Sequence, residues 1–119
     1  MRSLYLACVV VLGLLLSEQS GAQVALTNTA GITIKTFLTK SDGWAFVTFA
    51  ESIPEINSCR SVTYGSRVYQ SPVWIDGSTA ATNRVYNAAL AAYLTGKKLQ
   101  NVLVVTGTDC MLYLIEVAP

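Results

Sequence analysis

The sequence predicts a mainly β (α+β) protein, in which a small, mostly antiparallel sheet or barrel is covered by one helix. Several short segments are rich in β-branched and aromatic residues and are bounded by Gly, Pro and Asp turn signals. Only residues 80–95 have the composition and spacing of a helix. A single helix argues against a doubly wound parallel sheet, and a length of 119 residues indicates one domain.

The first two strands are predicted to form a β-hairpin. Residues 31–39 and 44–50 alternate loosely between apolar and polar side chains, and Asp42 and Gly43 between them are a typical hairpin turn signal. The alternation places Trp44 and Phe46 on one face and Val47 and Phe49 on the other. Which of the two faces is turned towards the core stays open at this point.

Four further strands are predicted along the rest of the chain. Two are short, at residues 59–63 and 67–70, and follow a predicted loop at residues 51–58. Two are strongly apolar, at residues 99–106 and 110–117. The breakers between the short strands and the helix are Ser71, Pro72, Asp76 and Gly77.

The predicted helix has recognisable ends. Ser78 or Thr79 can cap its N-terminus, and Gly96 is a natural residue to end it. Small residues dominate the helix, which favours close packing on a sheet. The alternative is that they let neighbouring helices approach in an oligomeric ring, with Arg84 and Asn87 facing its interior. The residues expected on its packed side are Ala81, Val85, Ala88, Ala89, Ala92 and Tyr93.

The N-terminal segment has the layout of a secretory signal peptide. Arg2 precedes an apolar run at residues 4–16, and Ser20, Gly21 and Ala22 are small residues suited to a peptidase. An uncleaved anchor is the alternative, but the run is shorter than the roughly 20 residues that span a bilayer. We therefore expect a signal peptide over residues 1–22 and a single domain over residues 23–119, secreted or periplasmic and without membrane contact after cleavage.

The cysteines are expected to form one disulfide. Cys8 would leave with the signal peptide, so Cys59 and Cys110 remain as a pair in an exported domain. A catalytic thiol is the first alternative, but it would have no histidine partner. A metal site is the second, although two thiolates are too few for structural zinc.

Charge and composition argue against several classes of function. The net charge is +1 and no basic stripe is visible, which argues against a nucleic-acid partner. The chain has no histidine, which removes the commonest general base and His-ligated metals. We therefore predict no enzymatic activity and no cofactor. Asp42, Asp76 and Asp109 are interpreted as turn residues, with a small carboxylate hydrolase as the alternative.

Several local features resemble a known family. An aromatic strand at residues 44–49 leads to Cys59, and a helical segment at residues 86–92 runs into Thr-Gly-Lys-Lys at residues 95–98. An apolar strand and then Cys110 follow. In this order the chain resembles the small exported OB-fold proteins related to the B subunit of subtilase cytotoxin.

This resemblance covers most of residues 31–117 and carries expectations for fold and function. It implies an OB-like antiparallel five-stranded barrel with the helix between strands 3 and 4. In the toxins the B subunits form rings of five and bind sialylated or related glycans through the barrel side. The resemblance thus implies a homo-oligomer, in particular a pentamer, and a glycan ligand, but it carries over no glycan-contacting residue.

Candidate ligand-binding residues come from the chemistry of sugars. A sugar needs an aromatic face for its C–H groups and short polar side chains for its hydroxyls. Tyr64, Tyr69 and Trp74 lie in the least regular stretch of the chain, where binding loops are common. The alternative is that Tyr69 and Trp74 pack under the helix.

The predicted function is accordingly an exported, non-enzymatic binding module with a glycan or a protein as its partner. A periplasmic structural or inhibitory protein that docks to one partner protein is the alternative.

Overall fold

The structure is a computed structural model that describes residues 22–26 and 30–119. The signal peptide expected over residues 1–22 lies, apart from Ala22, outside the described residues and stays a prediction. Within the described residues, no helix is both long enough and apolar enough to cross a membrane.

The described residues form eight strands, one α-helix and a short 3-10 turn at Pro54–Ile56. The elements are β1 Ala22–Ala25, β2 Ile34–Thr39, β3 Trp44–Phe49, β4 Val62–Tyr64, β5 Arg67–Tyr69, β6 Val73–Asp76, α1 Ala80–Thr95, β7 Leu99–Thr106 and β8 Cys110–Val117. The mainly β (α+β) class with a single helix is therefore confirmed. Helix α1 and strands β7 and β8 have the bounds that the sequence predicts.

Six strands form one sheet, in the order β1-β7-β8-β6-β3-β2. All neighbours are antiparallel except β6 and β8, which are parallel. Strands β4 and β5 form a separate two-stranded sheet. Just before β2, Ile32 bridges Leu99 of β7 through two backbone hydrogen bonds of 2.9 and 2.7 Å. The chain on the N-terminal side of β2 thus reaches β7, the second strand from the opposite end of the sheet.

The predicted β2–β3 hairpin is present, and its turn explains its shape. Gly43 adopts a φ of +93°, which is accessible to glycine at little cost. The Lys40 amide donates to the Trp44 carbonyl over 2.8 Å, and the Trp44 amide donates to Asp42 Oδ1 over 3.1 Å. The Asp-Gly pair therefore fixes both the turn and the start of β3.

Both ends of α1 follow from local chemistry. Thr79, one of the two predicted caps, accepts a hydrogen bond from the Thr82 amide through its side chain. Gly96 ends the helix with a φ of +70°. The buried face is narrower than predicted: Ala89 and Ala92 are buried and Val85 packs against the core, whereas Ala81 and Tyr93 are exposed.

Two strands were not predicted, and one predicted strand is displaced. Strands β1 and β6 each have only four residues, and β6 lies directly between the breakers Pro72 and Gly77. The strand predicted at residues 59–63 instead begins at Val62. The reason is that Cys59 is held in the preceding loop, where its amide donates to the Ile56 carbonyl over 3.0 Å.

The main core lies between the sheet and α1, and it is mostly aliphatic. Ala89 and Ala92 of the helix lie in the same buried cluster as residues from several strands. These include Val47 of β3, Ile75 of β6 and Leu99 of β7, each at most 1% exposed. We call this side of the sheet the inner face.

The predicted disulfide is present. Cys59 and Cys110 are joined with an S–S distance of 2.00 Å and a Cα–Cα distance of 5.5 Å. Both half-cystines belong to the inner core. Beside them, the Arg60 amide donates to the Thr108 carbonyl over 3.0 Å. The loop before β4 is thereby tied to the start of β8.

Candidate functional site

The opposite side of β3 carries an aromatic cluster. Side chains alternate along the strand, so Phe46 points away from the face that Ala45 and Val47 share. Phe46 is nevertheless 0% exposed. Its cover on this outer face comes from other aromatic rings, which we call the outer aromatic cluster. The members are Trp44, Phe46, Tyr64, Tyr69 and Trp74.

Phe46 is the centre of this cluster. Tyr64 stacks on it with ring centroids 6.1 Å apart and planes 14° apart. Tyr69 and Trp74 meet it edge-on at 5.0 and 5.1 Å, and Trp44 meets Trp74 edge-on at 6.4 Å. Edge-on and stacked pairs of this kind each contribute about 0.5–1.5 kcal/mol beyond the area that they bury. The rings therefore hold the β4–β5 hairpin against the main sheet.

All three predicted ligand-binding residues meet in this cluster. Tyr64, Tyr69 and Trp74 each contact Phe46, on the face opposite to the helix. The alternative that Tyr69 and Trp74 pack under the helix is therefore wrong. Only Trp74 lines the groove described next, while Tyr69 lines a second groove of about 210 Å³ beside Arg67.

A groove of about 290 Å³ opens at the edge of the cluster. Its floor is formed by Trp44 of β3, Trp74 of β6 and Met111 of β8. Trp74 and Met111 are direct partners in the parallel β6–β8 pair, so the floor crosses three adjacent strands. Two ion pairs complete the lining. We call this feature the tryptophan groove.

The first ion pair comes from the β2–β3 turn. Lys40 Nζ lies 3.2 Å from Asp42 Oδ2 and 5.7 Å from the centroid of the Trp74 ring. The hydrogen bond from the Trp44 amide, with help from Lys40, holds the pKa of the Asp42 carboxyl below its usual value. The hydrogen bond with Asp42 in turn raises the pKa of Lys40. Asp42 is therefore an ionised acceptor at neutral pH.

The second ion pair stands next to the disulfide. Arg60 Nη2 lies 3.0 Å from Asp109 Oδ1 and donates to Asp109 Oδ2 over 3.1 Å. Arg60 follows Cys59 and Asp109 precedes Cys110, so the disulfide brings the two charged residues together across the chain. Both side chains stay substantially exposed to solvent, with exposed fractions of 63% and 46%.

This arrangement suits reversible binding of a small polar ligand. Half-buried tryptophan rings offer apolar faces, while two carboxylates and two cations beside them accept and donate hydrogen bonds. Among the described residues, no three or more His, Cys, Asp or Glu side chains form a group that could hold a metal ion.

Sequence reasoning missed most of the groove lining. It interpreted Asp42 and Asp109 as turn residues and did not single out Arg60 or Met111. The sequence contains a signal for the wall formed by Arg60 and Asp109, because these oppositely charged residues adjoin the two cysteines that were expected to pair. The other wall could have been suspected from Lys40 and Asp42 in the turn that leads to Trp44.

Comparisons with protein-family models, with curated proteins and with solved structures find no match to this chain. The resemblance to the subtilase cytotoxin B subunit therefore stays a prediction.

Proposed function

We propose that this chain is an exported, non-enzymatic binding module that recognises a glycan through the tryptophan groove. The observation that carries this proposal is the pairing of Trp44 and Trp74 on the floor of a groove of about 290 Å³. This volume is at the small end of the range for ligand pockets, roughly 300–1,000 Å³. Sugars bind by stacking C–H groups on aromatic rings and by hydrogen bonding their hydroxyls, and the groove supplies both kinds of partner.

We further propose that the sheet is an OB-like barrel. In chain order, β2, β3, β6, β7 and β8 are the five strands of such a barrel, with α1 between the third and the fourth. The Ile32–Leu99 bridge supports closure of the barrel. It joins the chain just before β2 to β7, and these are the two end strands of the order β7-β8-β6-β3-β2. Partly open five-stranded barrels of this kind commonly bind oligosaccharides or oligonucleotides on a strand face.

Export is supported by the disulfide. A buried Cys59–Cys110 bond in a small domain is typical of secreted and periplasmic proteins, because the cytosol keeps thiols reduced. Together with the signal peptide expected over residues 1–22, it supports a secreted or periplasmic location.

A glycan array probed with the oxidised protein tests the proposal directly. We expect binding to at least one glycan, and a loss of about tenfold or more in affinity for Trp74→Ala, measured by titration. Tyr113→Ala is the matched control, because Tyr113 is an exposed aromatic residue of β8 that does not line the groove. Thermal melts establish whether each variant is folded before its affinity is compared. A silent array with folded wild-type protein would count against glycan recognition.

Docking to a partner protein is the alternative, and one observation favours it. The β4–β5 hairpin exposes Val68 by 54% and Tyr64 by 38%, which is an apolar surface next to the groove. A single protein captured from periplasm by the wild type, together with a silent array, would favour this alternative.

A further inference from the structure

The charges that line the tryptophan groove cancel. Lys40 and Arg60 contribute two positive charges, and Asp42 and Asp109 contribute two negative charges. Each cation is already in contact with a carboxylate, at 3.2 Å in one pair and 3.0 Å in the other. The groove therefore presents two satisfied ion pairs rather than a positive pocket.

An anionic ligand fits this lining poorly. Its carboxylate can reach the remaining N–H groups of Lys40 or Arg60 only beside Asp42 or Asp109, which already pair with these cations and repel it as like charges. Asp42 is further held by the Trp44 amide, so its position and its charge are fixed from two sides. Like charges placed together at an interface disfavour binding and are a common basis of specificity.

An uncharged sugar fits without breaking either pair. A carboxylate has two oxygens with about four acceptor sites, and each ion pair uses only part of this capacity. Neighbouring hydroxyls can donate to the free positions on Asp42 and Asp109 and accept from the remaining N–H groups of Lys40 and Arg60. The Trp44 and Trp74 rings, which line the same groove as the two pairs, can take the apolar face of the sugar ring.

We propose that the tryptophan groove selects an uncharged pyranose, held through its hydroxyls by Asp42 and Asp109, and discriminates against acidic sugars. This ligand class differs from the sialylated glycans that the resemblance to the toxin B subunits implies. The inference rests on the proposed glycan-binding function and specifies its ligand class. The size of the groove favours a mono- or disaccharide, such as the terminal unit of a longer glycan.

The decisive experiment compares neutral and acidic sugars in matched pairs. Methyl glucoside with methyl glucuronide, and methyl galactoside with methyl galacturonide, share ring stereochemistry but exchange a hydroxymethyl group for a carboxylate. Titration of the oxidised wild-type protein, followed by tryptophan fluorescence, should show a preference of about tenfold or more for the neutral member of the pair that binds. Equal or tighter binding of the uronide would overturn the charge selection and leave glycan binding standing. If no sugar of any pair binds and the glycan array is silent, both proposals fail.

Variants of the carboxylates test their assigned role. Asp109→Asn should weaken binding of the neutral sugar and reduce the neutral-to-acidic ratio by about fivefold or more, because Arg60 becomes available to the uronide. Asp42→Asn should move the ratio in the same direction and serves if the first variant does not fold. Glu116→Gln is the matched control, since it removes the same charge from an exposed position of β8 outside the groove. An unchanged ratio in both aspartate variants would overturn the proposal.

Discussion

The two faces of strand β3 are both buried, but different structures bury them. On the inner face, Ala45 and Val47 are 0% exposed, and Val47 shares an aliphatic core with a helix of 16 residues. On the outer face, Phe46 is equally buried, but its cover includes Tyr64 and Tyr69 from a hairpin of two three-residue strands. The same degree of burial thus arises from a large aliphatic core on one side and from a few aromatic contacts on the other.

This difference explains why the candidate site lies on the outer face. On the inner face, Ala45 and Val47 are fully covered, which leaves these side chains no contact with ligand. The outer face is covered only in part, so the tryptophans next to Phe46 stay half exposed and form the floor of a groove. Elements with few buried contacts are also the ones that open most readily, as binding surfaces often require.

Removing the disulfide is expected to have the largest effect, because it connects the two faces. The sulfurs lie in the inner core, while the neighbouring Arg60 and Asp109 form a wall of the outer groove. The bond closes a span of 51 residues, for which the chain-entropy model gives about 4 kcal/mol. We expect the Cys59→Ala/Cys110→Ala variant to lose about this much free energy of unfolding in chemical denaturation. The double variant contradicts this prediction if it unfolds at the same denaturant concentration as the wild type and binds ligand with the same affinity. The disulfide would then not connect the two faces.

Truncating one buried residue on each face distinguishes a general loss of stability from a change in the outer aromatic cluster. Leu99→Ala on the inner side and Phe46→Ala on the outer side should each lower the free energy of unfolding by about 3–4 kcal/mol, since both side chains are fully buried. Phe46→Ala should change the near-ultraviolet circular dichroism of the folded protein more than Leu99→Ala does, because Phe46 contacts Tyr64, Tyr69 and Trp74 directly. Equal spectral changes in the two variants would show that the faces do not behave as separate clusters.

Helix α1 and the two long C-terminal strands could be predicted from the sequence far better than the short strand β6. Helix α1 and strands β7 and β8 have the predicted bounds, because helical spacing, a Gly stop and long apolar runs are local signals. Strand β6 has no comparable signal, since four residues between Pro72 and Gly77 are too few to show alternation.

The candidate site depends on contacts that no local pattern contains. The three aromatic residues singled out from the sequence do meet, but they meet on Phe46, whose face could not be chosen beforehand. The Arg60–Asp109 pair joins residues 49 positions apart and exists because a disulfide brings them together. Composition could suggest aromatic binding, and the charges beside the two cysteines and in the β2–β3 turn were hints to the walls. That these charges line the same groove as the tryptophans follows only from the tertiary structure.

The smallest expected effect concerns the exposed rim of the outer face. The pKa of Asp42 is lowered below 3.8, chiefly by the Trp44 amide, so its contribution to stability is complete above that value and is lost as the pH falls through the folded-state pKa. The pKa of Lys40 is raised above 10.5, so its contribution is complete below that value and is lost as the pH rises through the folded-state pKa. In Asp42→Asn, the drop in melting temperature at both pH extremes should therefore be slightly smaller than in the wild type.

Thermal melts across both pH limits, together with an NMR titration of the Asp42 carboxyl, check this expectation. Glu116→Gln is again the control for removing one negative charge from the surface. Because Asp42 and Lys40 are exposed, solvent screens their interaction, and the difference in melting temperature should be far smaller than for Phe46→Ala. An Asp42 carboxyl that titrates at or above 3.8 would show that the Trp44 amide does not hold the turn in place. The rim of the groove would then be less ordered than its aromatic floor, and the contrast between the two faces would extend to the charged residues that line the groove.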